Sequence, residues 1–229
     1  MKPLSTRTAD GTTLQDLGKA SIQIVHDLKN QLNGLKLYAT FLRRRIEKSE
    51  RPEDEQQTIT KLIAGLDRAA NDLSTIVQYG REIELKKQAG FDIQKVMRSI
   101  CSQLNDNSAP IVCEADAEAL FGELDPTRLA DAFNWISTGA IKHLQNGDSP
   151  GALTVSVKRD ETRADQAKIE WSGLAPIDHD PFKSFAGSDE IRMSLAAKII
   201  EAHGGSAFYQ GDRIQVTLPL LSSQENSES

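Results

Sequence analysis

Apolar residues recur at spacings of three and four along the first part of the chain. Val25, Leu28, Leu32, Leu35, Ala39, Leu42 and Ile46 form one such series. It predicts a helix carrying about three heptads of an a/d seam. The pattern begins near Leu14. Residues 1–12 are polar, contain Asp10-Gly11 and are expected to be loose. Lys48–Gln57 interrupts the series with charge and Pro52 and reads as a connecting loop. Ile59, Leu62, Leu66, Ala69, Leu73, Ile76, Gly80 and Ile83 then repeat the spacing. Two helices of about 30 residues predict an antiparallel hairpin over residues 13–88. A lone hairpin cannot surround its own apolar stripe. Two copies are therefore expected to pair into a four-helix bundle.

After Lys86–Gly90 the period changes. Phe91–Leu104 predicts a helix with Ile93, Val96, Met97, Ile100 and Leu104 on one side, and PIVCEA a short strand. Asp125-Pro126 opens a helix running to about Leu144, with Asp at the N-cap and Pro in the first turn. ALTVSVKR and AKIEWS alternate as strands do. A helix from about Asp189 to Ala202 stops at His203-Gly204-Gly205. SAFYQ and RIQVTLPL form a hairpin around Gly211-Asp212. The second domain, residues 91–221, is therefore mixed α and β, and residues 222–229 are a polar tail.

Composition narrows the function. The 229 residues are 38% hydrophobic and 26% charged, the balance of a soluble globular protein. A net charge of −6 argues against general nucleic-acid binding, which needs a basic surface. No apolar leader and no run of 18 apolar residues is present, so a cytoplasmic protein without membrane contact is expected. Cys101 and Cys113 lack CxxC spacing and suit a reducing compartment. The four histidines are scattered, and no metal site is expected.

One histidine stands apart. With about 100° per residue, His26 lies roughly 160° from the seam, on the water side of the first helix. Asn30, Asn33, Leu37 and Phe41 fall within about 60° of it. An imidazole is a nucleophile when one nitrogen is free and a carboxylate supports the other. Asp27 is adjacent, Asn30 is one turn on, and Lys29 and Lys36 offer charge for phosphate oxygens. Leu37 and Phe41 are apolar on an outward face, which suggests a docking surface or cover by the adjoining domain. Arg43-Arg44-Arg45 read as a solvated charged face, or as an extension of the surface toward an acidic partner.

The run from His26 through Asp27, Lys29 and Asn30 to Leu32 resembles the H-box of two-component sensor histidine kinases. Gln31 stands where the family usually has proline. An acid after the histidine, with Asn three residues beyond the acid, also resembles the family's phosphatase motif. The rest of the chain follows the order of the family's ATP-binding α/β sandwich. The resemblance implies an α+β fold: a dimerising helical hairpin followed by that sandwich.

The nucleotide positions depart from the family pattern. Asp125–Leu144 aligns with the helix of the family's N-box; Gly139 replaces the magnesium-binding asparagine, Trp135 an earlier asparagine, and Lys142 is retained. Ile169–Ile177 aligns with DxGxG; Trp171 replaces the adenine-reading aspartate, Gly173 is kept, and Ala175 replaces the second glycine. Glu190 and Arg192 occupy glycine positions before an intact EAHGG. The adenine acceptor, a magnesium ligand and the close backbone approach to phosphate are lost together. Neither ATP nor Mg²⁺ is expected to bind, and no cofactor is implied. The implied function is exchange of a phosphoryl group between His26 and receiver-domain aspartates of response regulators. A response-regulator phosphatase, or a sequestering scaffold, fits the same surface. The departures disfavour an autophosphorylating kinase.

Overall fold

The predicted seams fold into two helices, α1 (Gly11–Glu47) and α2 (Glu53–Gly80). The structure, a computed structural model, describes residues 11–47, 53–105, 110–145, 151–176, 178–185 and 187–221. The expected loose N-terminus lies outside them up to residue 10, and the polar tail 222–229 lies outside entirely. Helix α1 starts three residues before Leu14. Helix α2 starts inside the segment expected to be a loop, whose residues 48–52 are not described. It opens on Glu53-Asp54-Glu55, charges suited to the positive end of a helix dipole.

The expected seams are corrected in detail. On α1, Ala39 is buried and Val25, Leu32 and Ile46 are half-buried. Leu28, Leu35 and Leu42 stand 45%, 53% and 53% exposed. On α2 the buried apolar series is Ile63, Ala70 and Val77, one residue beyond the expected Leu62, Ala69 and Ile76; Leu62 and Gly80 are exposed. A series spaced by three and four covers two neighbouring stripes of a helix, and one partner helix covers only one of them. Lys36 ties the hairpin across, with its Nζ 2.5 Å from Asp67 Oδ1.

The chain divides into two compact units, Met1–Glu82 and Ile83–Ser229. The second is built on a five-stranded sheet of order β2-β4-β5-β7-β6. Its strands are β2 (Ile111–Ala115), β4 (Leu153–Arg159), β5 (Gln166–Ser172), β6 (Ser206–Gln210) and β7 (Arg213–Pro219). Only β2 and β4 pair in parallel. Alternation sorts the faces: Val155, Val157, Ile169, Trp171, Ile214 and Val216 point into the core, while Lys158, Lys168, Glu170 and Arg213 point away. Helices α3 (Ile93–Asn105), α4 (Pro126–Gln145) and α5 (Ser188–Ala202) supply the rest of this core. A two-stranded ribbon of β1 (Gln88–Asp92) and β3 (Phe121–Leu124) was not expected from the sequence. These strands have five and four residues, too few for a period to show. The helix expected from Phe91 begins after β1, where Asp92 Oδ1 accepts the Lys95 amide at 3.0 Å.

Helix α4 starts as its sequence predicts. Asp125 Oδ1 accepts the amides of Thr127 and Arg128, each at 3.0 Å, and Oδ2 accepts that of Lys86 at 2.7 Å. Burial pushes this carboxyl up, but the three amides outweigh it and hold it below its ordinary range. The end of α5 is fastened to the same point. His203, 1% exposed, donates from Nδ1 to the Ile199 carbonyl at 2.8 Å, and its Nε2 accepts the Asp125 amide at 3.0 Å. Gly204 takes φ +81°, and a Cβ on Gly205 would lie 2.1 Å from the Thr217 carbonyl oxygen. The EAHGG run thus answers to backbone geometry.

This arrangement makes stability pH-dependent. Burial, helped by Lys87, holds the His203 imidazole below its ordinary value, against the pull of the Ile199 carbonyl and Asp125. The unfolded chain then takes up this proton first as pH falls. Stability from His203 is complete above about pH 6.5 and is lost below it, through the folded value. His143 is also held low by burial and adds in the same direction. Urea unfolding at pH 7.5 and 5.5 is expected to show lower stability at 5.5, with a smaller difference in His203→Gln.

The two cysteines are free, Cys101 buried and Cys113 half-buried. Burial and the neighbouring Cys113 push the Cys101 thiol up to about 12, so it is unreactive near neutrality. No described helix is long and apolar enough to cross a membrane.

Candidate functional site

His26 stands on the outer face of α1 with its side chain 48% exposed. Its Nδ1 lies 3.6 Å from Asp27 Oδ1 and 3.4 Å from Asn30 Nδ2. Among the described residues, Nε2 has no hydrogen-bond partner. The two neighbours ask different things of Nδ1. Asp27 suits a protonated Nδ1, which leaves the Nε2 lone pair free for attack. The Asn30 amide nitrogen suits an unprotonated Nδ1; turned over, the amide offers its oxygen instead. Asn33, Leu37 and Phe41 share the exposed face, as the helical period predicts. The lysines do not. Lys29 is half-buried, and Lys36 is held by Asp67 of α2.

The positions that the resemblance aligns with a nucleotide site lie in the second unit. Trp171 is fully buried on β5. Its Nε1 donates to Ser137 Oγ of α4 at 2.9 Å, and its ring packs at 47° to Phe133 with centroids 6.5 Å apart. Gly139 faces Met193 of α5; a Cβ there would lie 2.4 Å from Met193 Sδ. Lys142 is ion-paired with Asp189 in the first turn of α5, and Arg192 lies 3.8 Å from the same carboxylate. Glu190 takes His179 Nε2 at 3.0 Å and the Ser184 hydroxyl. A cavity of about 200 Å³ remains among Gly139, Lys142, His143, Gly187, Glu190 and Met193. Ligand pockets usually begin near ~300 Å³. Burial holds the His143 imidazole low, His179 adds to this, and Glu190 and Asp189 oppose it. Trp135 and Ala175 are half-buried, and Gly173 is exposed with φ +92°. Among the described residues no group of His, Cys, Asp and Glu is arranged to hold a metal ion.

Ser137 and Met193 were missed in the sequence because each acts through a residue on another element. The packing gives a direct test. Gly139→Asn is expected to destabilise by about 1–3 kcal/mol, as overpacking does. Met193→Ala in the same chain is expected to recover part of that loss, a coupling of at least about 0.5 kcal/mol in a double-mutant cycle.

No protein-family model matches the chain. Among curated proteins, the Sensor protein kinase WalK of Staphylococcus haemolyticus is 20% identical over 216 residues, covering 86% of this chain and 35% of WalK. The chain thus spans about a third of the length of that relative. Among solved structures, full-length ShkA in complex with AMPPNP superposes with a TM-score of 0.67 at 15% identity, over 88% of this chain and 45% of ShkA. The Acinetobacter baumannii histidine kinase AdeS gives 0.56 at 16% identity, over 86% and 98%. Both likenesses run through the helical hairpin and the sandwich, the fold expected from the sequence. The chain shares its fold, a helical hairpin followed by an α/β sandwich, with ShkA and the histidine kinase AdeS, and it is distantly similar in sequence to the sensor protein kinase WalK.

Proposed function

We propose that this chain is a phosphorelay protein: His26 accepts a phosphoryl group from a receiver-domain aspartate of one response regulator and passes it to another. The observation that carries this reading is the His26 ring, exposed on α1, with Nδ1 beside Asp27 and Nε2 without a partner among the described residues. The Nε2 lone pair attacks phosphorus, and the P–O bond to the receiver carboxylate breaks. Asp27 supports the positive charge that the ring gains. The reverse reaction returns the group to a second carboxylate.

ATP is not the donor in this reading. Support comes from Trp171 in place of the adenine acceptor and Met193 against Gly139. Lys142, the lysine retained in the resemblance, is paired with Asp189. The exposed leucines Leu28, Leu35, Leu42 and Leu62 support a homodimer, which would cover them as a four-helix bundle.

Asn30 favours a second reading. Its exposed amide, one turn from His26, suits orientation of a water that attacks the receiver's phosphoryl group. His26→Ala separates the two. Loss of transfer with receiver dephosphorylation intact supports the phosphatase; loss of both supports the relay.

A further inference from the structure

The chain has two cysteines, twelve positions apart, and the fold of the second unit brings them together. On β2 the side chains alternate. Val112 and Glu114 are exposed, while Ile111, Cys113 and Ala115 are half-buried and turn to the side that α3 packs on. On α3, Cys101 shares the buried face with Ile93, Met97 and Ile100 and is 4% exposed. The two thiols share a hydrogen bond. Among the described strands β2 pairs only with β4, so it is an edge of the sheet, and Cys113 keeps access to solvent there. One thiol is thus reachable and its neighbour is not. A reachable thiol with a second thiol beside it is the arrangement that reversible thiol oxidation needs.

We propose that Cys113 and Cys101 are a site of reversible oxidation by hydrogen peroxide, which closes a disulfide between edge strand β2 and α3. Cys113 reacts first. Its sulfur takes one peroxide oxygen as the O–O bond breaks, giving a sulfenic acid and releasing water. The Cys101 sulfur then attacks the sulfenic sulfur. The S–O bond breaks, the hydroxyl leaves with the Cys101 proton as a second water, and the S–S bond forms. Two thiols lose two electrons and two protons, and one peroxide becomes two waters. Burial keeps Cys101 protonated and out of reach of peroxide, which sets the order. Its contact with Cys113 makes the second step intramolecular, and that proximity offsets its low reactivity. A small thiol reopens the bond by exchange. The proposal is independent of the phosphorelay reading.

The test treats the reduced full chain with hydrogen peroxide, blocks the remaining thiols with an alkylating agent, and reads intact and peptide masses. Non-reducing gels and thermal unfolding are run alongside. The expected product has lost both alkylatable thiols and two hydrogens. It yields a peptide pair joined through Cys101 and Cys113 and runs as a single chain. It melts about 4 °C or more above the reduced chain, and dithiothreitol restores both thiols. In Cys101→Ala, Cys113 is expected to stop at a sulfenic acid that dimedone captures. In Cys113→Ala, oxidation of Cys101 is expected to slow at least tenfold. Circular dichroism checks that both variants fold, and the masses of the wild-type chain need neither. Two alkylatable thiols left after treatment overturn the proposal, and so does a product linked between two chains. A joined peptide pair that forms only in urea also overturns it, as does Cys101 oxidation in Cys113→Ala within twofold of the wild-type rate.

Discussion

His26→Ala is expected to reduce phosphoryl exchange with receiver domains to background while changing stability by no more than about 0.5 kcal/mol, the usual range for an exposed substitution. The ring is about half exposed and its contacts are to Asp27 and Asn30 on its own helix, so its removal opens no core. In the phosphorelay reading the exchange depends on it, because His26 is the one histidine in the α1 sequence. Asp27→Asn should fall between wild type and His26→Ala. It keeps the size of the side chain but removes the charge that stabilises a protonated Nδ1, and the rate is expected to drop about 10²-fold or more. Transfer of labelled phosphate from a receiver, followed on an acid-sensitive gel, reads both variants. Circular dichroism with thermal melting shows that the fold is kept.

Trp171→Ala is expected to destabilise the second unit by about 3–5 kcal/mol, the largest stability loss predicted here. The indole is fully buried at the centre of the sheet's inner face. Its removal leaves a cavity beside Phe133 and strips Ser137 Oγ of its donor. Trp171→Phe keeps most of the packing and removes only the Nε1 bond, so about 1–2 kcal/mol is expected. Chemical denaturation of the three chains separates the two contributions. If tryptophan merely lay against an open nucleotide pocket, both changes would cost little, and Trp171→Ala would gain affinity for adenine nucleotides.

Local signals in the sequence were legible where the physics is local. Asp125-Pro126 marks the start of α4 because an N-cap acts within three residues. The alternation of β4 and β5 shows because each strand has seven residues and one buried face. The outward face of His26 followed from the helical period alone. The buried stripe of the hairpin was not legible to the residue. Buried and exposed leucines obey the same spacing, and Ile63, Ala70 and Val77 proved to be the buried set of α2.

Where the resemblance places a nucleotide site, the differences from the family pattern were legible: no aspartate at Trp171, no asparagine at Gly139, no glycine at Glu190. What took their place was not, because each replacement is a contact between distant elements. Met193 against Gly139, Trp171 with Ser137 and Lys142 with Asp189 join α4, β5 and α5, and none of these pairs has a local signature. Lys36 has a contact of the same kind: its spacing suits His26, and a carboxylate on the neighbouring helix also pairs with it.

The proposed function turns on whether His26 takes a phosphoryl group, and from which donor. It is tested most directly by offering the wild-type chain label from Mg-ATP and, separately, from phosphorylated receiver domains. Acid-labile label on His26 from a receiver, with none from Mg-ATP, is the predicted result. Label from Mg-ATP alone, or no label from any receiver, would contradict it.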